Sequence, residues 1–200
     1  VILNGAGVVI GGAIPASMAL AERLDAPVCV GYQHNDAFPG SHPLFAGPLG
    51  YNGSKAAMEL ISGADVVLCL GTRLNPFSTL PGYALDYWPK TAKIIQVDIN
   101  PDRIGLTKKV TVGIVGDARK VAEAVLARLA STAGDHARAE RKAKIAQVKS
   151  AWAQALSSMD HEEDDPGTSW NQRARDAKPD WMSPRMAWRA IQAGLPKEAI

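Results

Sequence analysis

Five residues of the chain follow apolar segments in positions that could bind a phosphorylated ligand. Gly5 and Gly7 come directly after the opening apolar segment, and a glycine-rich turn between a strand and a helix can offer backbone N–H groups to a phosphate. Arg73 follows a later apolar segment, and its guanidinium group could hold a phosphate or a carboxylate. Asp98 and Asp117 close two further segments and could accept hydrogen bonds from a ribose or an adenine. We therefore predict that these five residues bind a cofactor.

Each of these residues also has a structural interpretation that the sequence leaves open. Glycines form tight turns without any ligand, an arginine can tie down a neighbouring loop, and an aspartate often caps a turn or a helix. The glycines also depart from the dinucleotide-binding pattern, because they fall at offsets 0, 2, 6 and 7 from Gly5. No acidic residue ends the second apolar segment, 28–30, where a ribose-binding carboxylate belongs. NAD binding and a stand-alone hydride-transfer enzyme are therefore disfavoured.

Residue patterns typical of catalysis or metal binding are missing from the sequence. It has no Gly-x-Ser-x-Gly segment and no spaced cluster of cysteines and histidines. His34 and His42 lie in one loop without a set of Asp, Glu or Cys ligands at the usual spacing. The acidic run at 160–165 is typical of a solvated loop. We predict no catalytic residue and no metal site in this chain.

The candidate residues need a scaffold that brings them together, and the apolar segments predict one. Segments of this kind are buried on both faces, as in parallel sheets covered by helices. Helical patterns alternate with them, which predicts an α/β fold with a Rossmann-like, doubly wound parallel sheet of five or six strands and a C-terminal helical appendage. The carboxyl ends of parallel strands share one edge, where open α/β sheets bind ligands. The segments lie at 1–3, 28–30, 66–70, 94–98 and 110–115, with a long glycine- and proline-rich loop at 31–52.

Composition and charge exclude several classes of function. The net charge of +2 gives no electrostatic reason to expect nucleic acid as a partner. No apolar run approaches the roughly 18 residues of a membrane span, so we expect no membrane partner. Cys29 and Cys69 fall within apolar segments and are predicted to be buried free thiols, which favours a reducing, cytoplasmic location.

The amino-acid composition of the chain changes near residue 134, and this change predicts three parts. Residues 1–134 form the Rossmann-like domain, residues 135–182 a charged helix and a linker, and residues 183–200 the start of a following domain. Val1 already stands inside a strand-like segment, so we expect both ends to be cut from a longer protein.

The whole chain resembles the central domain of thiamine-diphosphate-dependent enzymes of the acetohydroxyacid synthase and pyruvate oxidase group. The motifs come in the order of that family, and the long loop together with the Asp-Ile-Asn-Pro element is the most specific part. These motifs are the Gly5-Ala-Gly7 turn, the loop from Phe38 to Gly50, and the segments Ala64 to Arg73, Ile95 to Pro101 and Ile114 to Asp117.

The resemblance implies a parent protein of three domains. Its first domain would supply a glutamate that activates thiamine diphosphate, and its third a Gly-Asp-Gly…Asn motif that binds Mg²⁺ and the diphosphate. Neither motif lies in this chain, because the segments 116–118 and 134–136 depart from Gly-Asp-Gly. The chain alone is therefore expected to be inactive, with the flanking domains as its partners in a homodimer or homotetramer.

Within the group, the segments 1–7 and 31–40 resemble most the branch that converts sulfoacetaldehyde and phosphate to acetyl phosphate and sulfite. The alternatives are an acetolactate synthase-like domain or a regulatory module that binds ADP or FAD. In flavin-bearing relatives this domain holds the ADP half of FAD, at positions resembling Gly5, Gly7, Arg73, Asp98 and Asp117. Those relatives continue Arg-Phe-Asp-Asp-Arg, whereas this chain continues Arg-Leu-Asn-Pro after position 72. The missing arginine and acids disfavour tight FAD binding and favour an empty or vestigial pocket.

Overall fold

The computed structural model describes residues 1–129, 138–161 and 184–196. The chain divides into two compact units, residues 1–150 and residues 151–200. The candidate residues all belong to the first unit, so its sheet and helices decide the geometry of the site.

The first unit is built on a six-stranded sheet in which all neighbouring strands run parallel. The spatial order is β3-β2-β1-β4-β5-β6, so the chain starts in the middle and winds outward in both directions. This confirms the predicted doubly wound α/β fold. The strands are β1 Ile2–Asn4, β2 Val28–Val30, β3 Phe45–Pro48, β4 Val66–Leu70, β5 Lys93–Asp98 and β6 Val112–Val115.

The helices follow the predicted alternation. Helix α2 begins at Ile14, so Pro15 lies in its first turn, where a missing N–H costs nothing. The hydroxyl of Ser54 accepts a hydrogen bond from the Ala57 N–H at 3.3 Å and caps α3, as the sequence predicted. The helices are α1 Ala6–Ile10, α2 Ile14–Leu24, α3 Lys55–Ser62, α4 Ala118–Leu129, α5 Arg138–His161 and α6 Pro184–Gly194.

The prediction of one continuous loop over 31–52 was wrong, because β3 lies within it. Its glycine and proline signal a turn, yet β3 is an edge strand, where proline is tolerated. Backbone hydrogen bonds from Val28 N–H to the Leu44 carbonyl at 2.8 Å and from Leu49 N–H to the Val30 carbonyl at 2.9 Å join it to β2. The short helix α1 was also missed, since it begins between two glycines without a side-chain cap.

The core lies on both faces of the sheet, and every residue of β1 and β2 is buried. Cys29 and Cys69 are free and fully buried, as predicted, and burial raises the pKa of each thiol to about 12. None of the helices in the described ranges is both long and apolar enough to cross a membrane.

Helix α5 contributes its first half to the first unit. Ile145 is buried in the core, and the guanidinium group of Arg141 donates to the Leu24 carbonyl at 3.1 Å. Lys142 pairs with the buried carboxylate of Asp25 at 3.1 Å. Cationic side chains thus hold α5 against the carboxyl end of α2, where the helix dipole favours positive charge.

The second unit contains the rest of α5 and helix α6. Helix α6 begins at Pro184 and ends at Gly194, which confirms the proline and glycine signals of the sequence. The predicted cap Ser183 and the predicted linker at 166–182 lie outside the described residues. The predicted division into 1–134, 135–182 and 183–200 stays a prediction.

Candidate functional site

A cavity of about 400 Å³ opens at the carboxyl end of the sheet, beside the ends of β1 and β4. The chain reverses its winding direction between these two strands, which is where doubly wound sheets bind ligands. All five predicted residues line this cavity, together with the loops after β2 and β5. The predicted residues in its wall are Gly5, Gly7, Arg73, Asp98 and Asp117.

Gly5 and Gly7 line the cavity as packing surfaces rather than as hydrogen-bond donors. The Gly5 N–H donates to the Leu70 carbonyl at 3.0 Å, and the Gly7 N–H donates to the Gly71 carbonyl at 2.8 Å. A Cβ atom added to Gly5 would lie 2.5 Å from the Cβ of Thr72. The two glycines therefore let the turn after β1 lie directly against the turn after β4, and their N–H groups are occupied within the protein.

Asp117 uses its side chain to cap α4. Its Oδ1 accepts a hydrogen bond from the Lys120 N–H at 3.0 Å, and its carbonyl accepts from the Val121 N–H at 3.0 Å. An aspartate in this position satisfies an N–H group at the start of the helix and complements the helix dipole. The start of α4 thus already holds a carboxylate, which makes it a poor place for a phosphate.

Asp98 stands at the end of β5 and is only 5% exposed. Its Oδ1 accepts a hydrogen bond from the Asn100 N–H at 2.9 Å and so fixes the following turn. Within the described part of the chain, its second carboxylate oxygen has no hydrogen-bond partner. Asp98 lines the cavity, so this oxygen is suited to accept a hydrogen bond from a ligand there.

Two exposed arginines bring positive charge to the same cavity. Among the residues that the structure describes, no side chain or backbone carbonyl pairs with the guanidinium group of Arg73 or Arg103. The alternative that the Arg73 guanidinium ties down a neighbouring loop therefore has no support. It is the backbone carbonyl of Arg73 that contacts a neighbouring loop, because it accepts a hydrogen bond from the Thr107 hydroxyl at 3.3 Å. Sequence reasoning missed Arg103, although it follows β5 within the turn Pro101–Arg103 at the ligand edge of the sheet. Free guanidinium groups are well suited to hold phosphate oxygens.

A second cavity, of about 510 Å³, adjoins the first and shares Arg73 with it. Its wall includes the aromatic rings of Tyr32 and Phe77, whose centroids lie 6.4 Å apart. Tyr51 packs edge-on against Tyr32 at 5.6 Å, and both Tyr51 and Phe77 are more than half exposed. The long loop after β2 thus helps to build an exposed aromatic surface beside the charged cavity.

Each of the two histidines of that loop contacts one acidic side chain. The Nδ1 of His42 accepts a hydrogen bond from the Leu44 N–H at 3.1 Å, so its Nε2 carries the proton and donates to Glu22 at 3.1 Å. His34 lies 3.9 Å from Asp36. The described residues contain no group of three His, Cys, Asp or Glu side chains that could hold a metal ion.

Residues 1–125 match the family profile of the thiamine pyrophosphate enzyme central domain. The chain belongs to this family. The match covers the whole six-stranded sheet of the central domain and ends within α4. It confirms the family that the glycine turn, the long loop and the Asp-Ile-Asn-Pro element predicted.

The proteins similar to this chain include sulfoacetaldehyde acetyltransferases and acetolactate synthases. Sulfoacetaldehyde acetyltransferase of Roseovarius nubinhibens is 81% identical over 200 residues, which cover all of this chain and 33% of the relative. Sulfoacetaldehyde acetyltransferase of Castellaniella defragrans is 48% identical over 202 residues, all of this chain and 34% of the relative. A probable acetolactate synthase large subunit of Methanocaldococcus jannaschii is 40% identical over 129 residues, 64% of this chain and 21% of the relative. The chain spans about one third of the length of the acetyltransferases it matches.

Proposed function

We propose that this chain is the central, non-catalytic domain of a thiamine-diphosphate-dependent sulfoacetaldehyde acetyltransferase. The parent would convert sulfoacetaldehyde and phosphate to acetyl phosphate and sulfite. The observation that carries this proposal is the 81% identity, over the whole chain, to a relative of that name. The acetolactate synthases are less similar and match only 64% of the chain, which makes the synthase reaction the weaker alternative.

The chemistry of the parent would then lie outside this chain. Thiamine diphosphate would supply the carbanion that attacks the aldehyde, and Mg²⁺ would hold its diphosphate in the flanking domains. The Gly-Asp-Gly…Asn motif expected for that site is absent from this sequence, which supports placing the thiamine site in the flanking domains. Its role would be to support the flanking domains of a cytoplasmic homodimer or homotetramer, which suits its two buried free thiols.

An activity assay on the full-length protein tests this proposal. With sulfoacetaldehyde, phosphate, thiamine diphosphate and Mg²⁺, we expect sulfite and acetyl phosphate in equal amounts. Removal of Mg²⁺ by a chelator should abolish the activity, and added Mg²⁺ should restore it. Acetolactate formed from pyruvate, without sulfite release from sulfoacetaldehyde, would identify the synthase instead.

We also propose that the cavity beside β1 and β4 binds a nucleotide of the ADP class. Its support is the combination of two free guanidinium groups with an unpartnered carboxylate oxygen of the buried residue Asp98. The arginines would hold the phosphates, and Asp98 would accept hydrogen bonds from the ribose or the adenine. The volume of about 400 Å³ lies in the range of small-molecule sites.

Calorimetry on the full-length protein tests nucleotide binding separately from catalysis. Saturating thiamine diphosphate and Mg²⁺ would first block the thiamine site, so that added nucleotide reports the central domain. We expect ADP to bind more tightly than FAD, because the second arginine and both acids of the flavin-bearing relatives are absent. No heat from ADP at millimolar concentration would refute nucleotide binding and leave the acetyltransferase proposal unaffected.

A further inference from the structure

Gln96 is a polar side chain in the middle of the apolar strand β5, where it is only 1% exposed. Burying a primary amide is unfavourable unless its donors and acceptor find partners. The structure provides three. The Nε2 of Gln96 donates to the carbonyls of Thr72 at 3.0 Å and Arg103 at 3.1 Å, and its Oε1 accepts from the Gly105 N–H at 2.9 Å.

These three bonds join two loops that carry the free arginines. Thr72 directly precedes Arg73 in the loop after β4, and Arg103 itself lies in the loop after β5. The hydrogen-bonded ladder between β4 and β5 ends just before these loops, with Leu70 beside Val97. One buried side chain therefore fixes the backbone of both loops at the two arginines.

A second contact supports the same geometry. The hydroxyl of Thr107 donates to the Leu74 carbonyl at 2.7 Å and again links the loop after β5 to the loop after β4. The two links leave the guanidinium groups free while holding the backbones from which they extend. Because these backbones are already held in place, a ligand that binds both arginines would not have to order the two loops as well.

We propose that Gln96 is a positioning residue that holds Arg73 and Arg103 as a pair on the phosphate groups of a bound nucleotide. The proposal rests on the nucleotide site proposed above. A glutamine suits this role because it offers two N–H donors to two carbonyls and one oxygen to an N–H group. Leucine would provide none of these contacts, and an ionised glutamate would face two carbonyls with acceptor oxygens only.

The test compares ADP with adenosine on the full-length protein, with the thiamine site saturated by thiamine diphosphate and Mg²⁺. Gln96→Leu is expected to weaken ADP binding by about tenfold, as loss of a residue that orients ligand-binding groups commonly does. Adenosine carries no phosphate, so its affinity should not change. If Gln96 had a purely structural role, Gln96→Leu would lower the affinities for ADP and adenosine by the same factor.

Ser17→Ala is the matched control variant. Ser17 is as deeply buried as Gln96, exchanges hydrogen bonds with Asn4 at 2.9 and 3.1 Å, and does not line the cavity. It should lower the melting temperature without changing the affinity for ADP. Gln96→Met has nearly the same volume and buries no charge, so it replaces Gln96→Leu if that variant does not fold.

A triple variant, compared with the double arginine variant, decides whether Gln96 acts through the arginines. In a protein that already carries Arg73→Gln and Arg103→Gln, a further Gln96→Leu should leave ADP affinity unchanged. Two results would overturn the positioning role: an equal loss of affinity for ADP and adenosine in Gln96→Leu, or a full tenfold loss of ADP affinity when Gln96→Leu is added to the double arginine variant. Wild-type protein that binds no ADP would instead refute the nucleotide site itself, and this inference with it.

Discussion

Gly7 and Gly71 lie back to back, with the Gly7 N–H donating to the Gly71 carbonyl at 2.8 Å. A Cβ atom on Gly7 would lie 2.7 Å from the Cα of Gly71, and one on Gly71 would lie 2.6 Å from the Cα of Gly7. Side chains at these positions cannot move aside, because the opposing atoms belong to the backbone. This contact seats the turn after β1 on the turn after β4 and forms the floor of the cavity.

Gly71→Ala is therefore expected to lower the free energy of unfolding by about 2–4 kcal/mol. The new methyl group would meet backbone, and the φ of +56° is unfavourable for any residue with a Cβ atom. Gly7→Ala meets the same obstruction without the positive φ, so its loss should be somewhat smaller. Urea unfolding measures both values.

Two control variants separate the obstruction from the backbone strain. Gly12 has a φ of +60° but nothing within 4 Å of an added Cβ, so Gly12→Ala reports the strain alone, about 1 kcal/mol. Gly40→Ala has neither feature and should be neutral. Equal losses in Gly7→Ala and Gly40→Ala would contradict the packing of the two turns.

Asp117→Ala should lower the free energy of unfolding by about 1 kcal/mol, since it removes the cap of α4. Asp117→Asn should be nearly neutral, because its side-chain oxygen can still accept from the Lys120 N–H. Neither variant should change ADP affinity by more than a small factor. A large loss of ADP binding in Asp117→Asn would show that this carboxylate contacts the ligand after all.

Asp98→Asn is expected to weaken ADP and adenosine together, by about tenfold, because a hydrogen bond to a charged group would be lost. The amide oxygen can still accept from the Asn100 N–H, so the turn after β5 should keep its shape. The melting temperature should stay constant or rise, since a buried charge disappears. Unchanged adenosine affinity in calorimetry would exclude Asp98 from the nucleoside contact.

Arg73→Gln should weaken the binding of ADP and leave that of adenosine unaffected, whereas Asp98→Asn should weaken the binding of both. The difference in ADP affinity between Arg73→Gln and wild type should become smaller at high ionic strength, because salt screens the charge of an exposed cation. Lys149→Gln is a suitable control, since its ammonium group donates to the Pro43 carbonyl and does not line the cavity. Identical salt dependence of ADP binding in Arg73→Gln and wild type would argue against a phosphate contact.

The buried thiols make stability depend on pH in the alkaline range. Burial raises the pKa of Cys29 and Cys69 from 9.0 to about 12, so the folded state keeps protons that the unfolded state releases. Their contribution is complete below pH 9 and is lost as pH rises toward 12, by about 1.4 kcal/mol per pH unit for each thiol.

Urea unfolding as a function of pH measures this effect by difference. A variant with both cysteines replaced by alanine should lose stability less steeply above pH 9 than the wild type does. The lysines and tyrosines titrate in both proteins, so they drop out of the comparison. Parallel curves for the two proteins would contradict the burial of the thiols.

The sequence predicted the fold well because most strands of the sheet are short, continuous apolar runs that alternate with helical patterns. The edge strand Phe45–Pro48 escaped prediction for the same reason, since an edge strand can contain glycine and proline and is less constrained by its neighbours. The five candidate residues do share one cavity, because the topology brings the carboxyl ends of the strands together. The sequence could not show which hydrogen-bond partner each polar atom has.

Gln96 and Arg103 show two different limits of prediction from the sequence pattern. A glutamine inside an apolar run is a visible anomaly, but only the structure identifies the three backbone groups that it binds. Arg103 is one of many charged residues in the second half of the chain, and only its place shortly after β5 distinguishes it from them. Asp117 was predicted both as a ligand and as a cap, and only atomic distances assign its oxygen to the helix.

The cap of α4 also bears on how such a domain can change its ligand. Since the start of that helix is already neutralised by Asp117, the positive charge of the cavity comes from side chains on loops rather than from the main chain. Loop side chains can be exchanged one at a time without disturbing the sheet. A domain of this architecture could therefore gain or lose a bound nucleotide by a few substitutions, while its scaffold and its contacts within the parent enzyme stay the same.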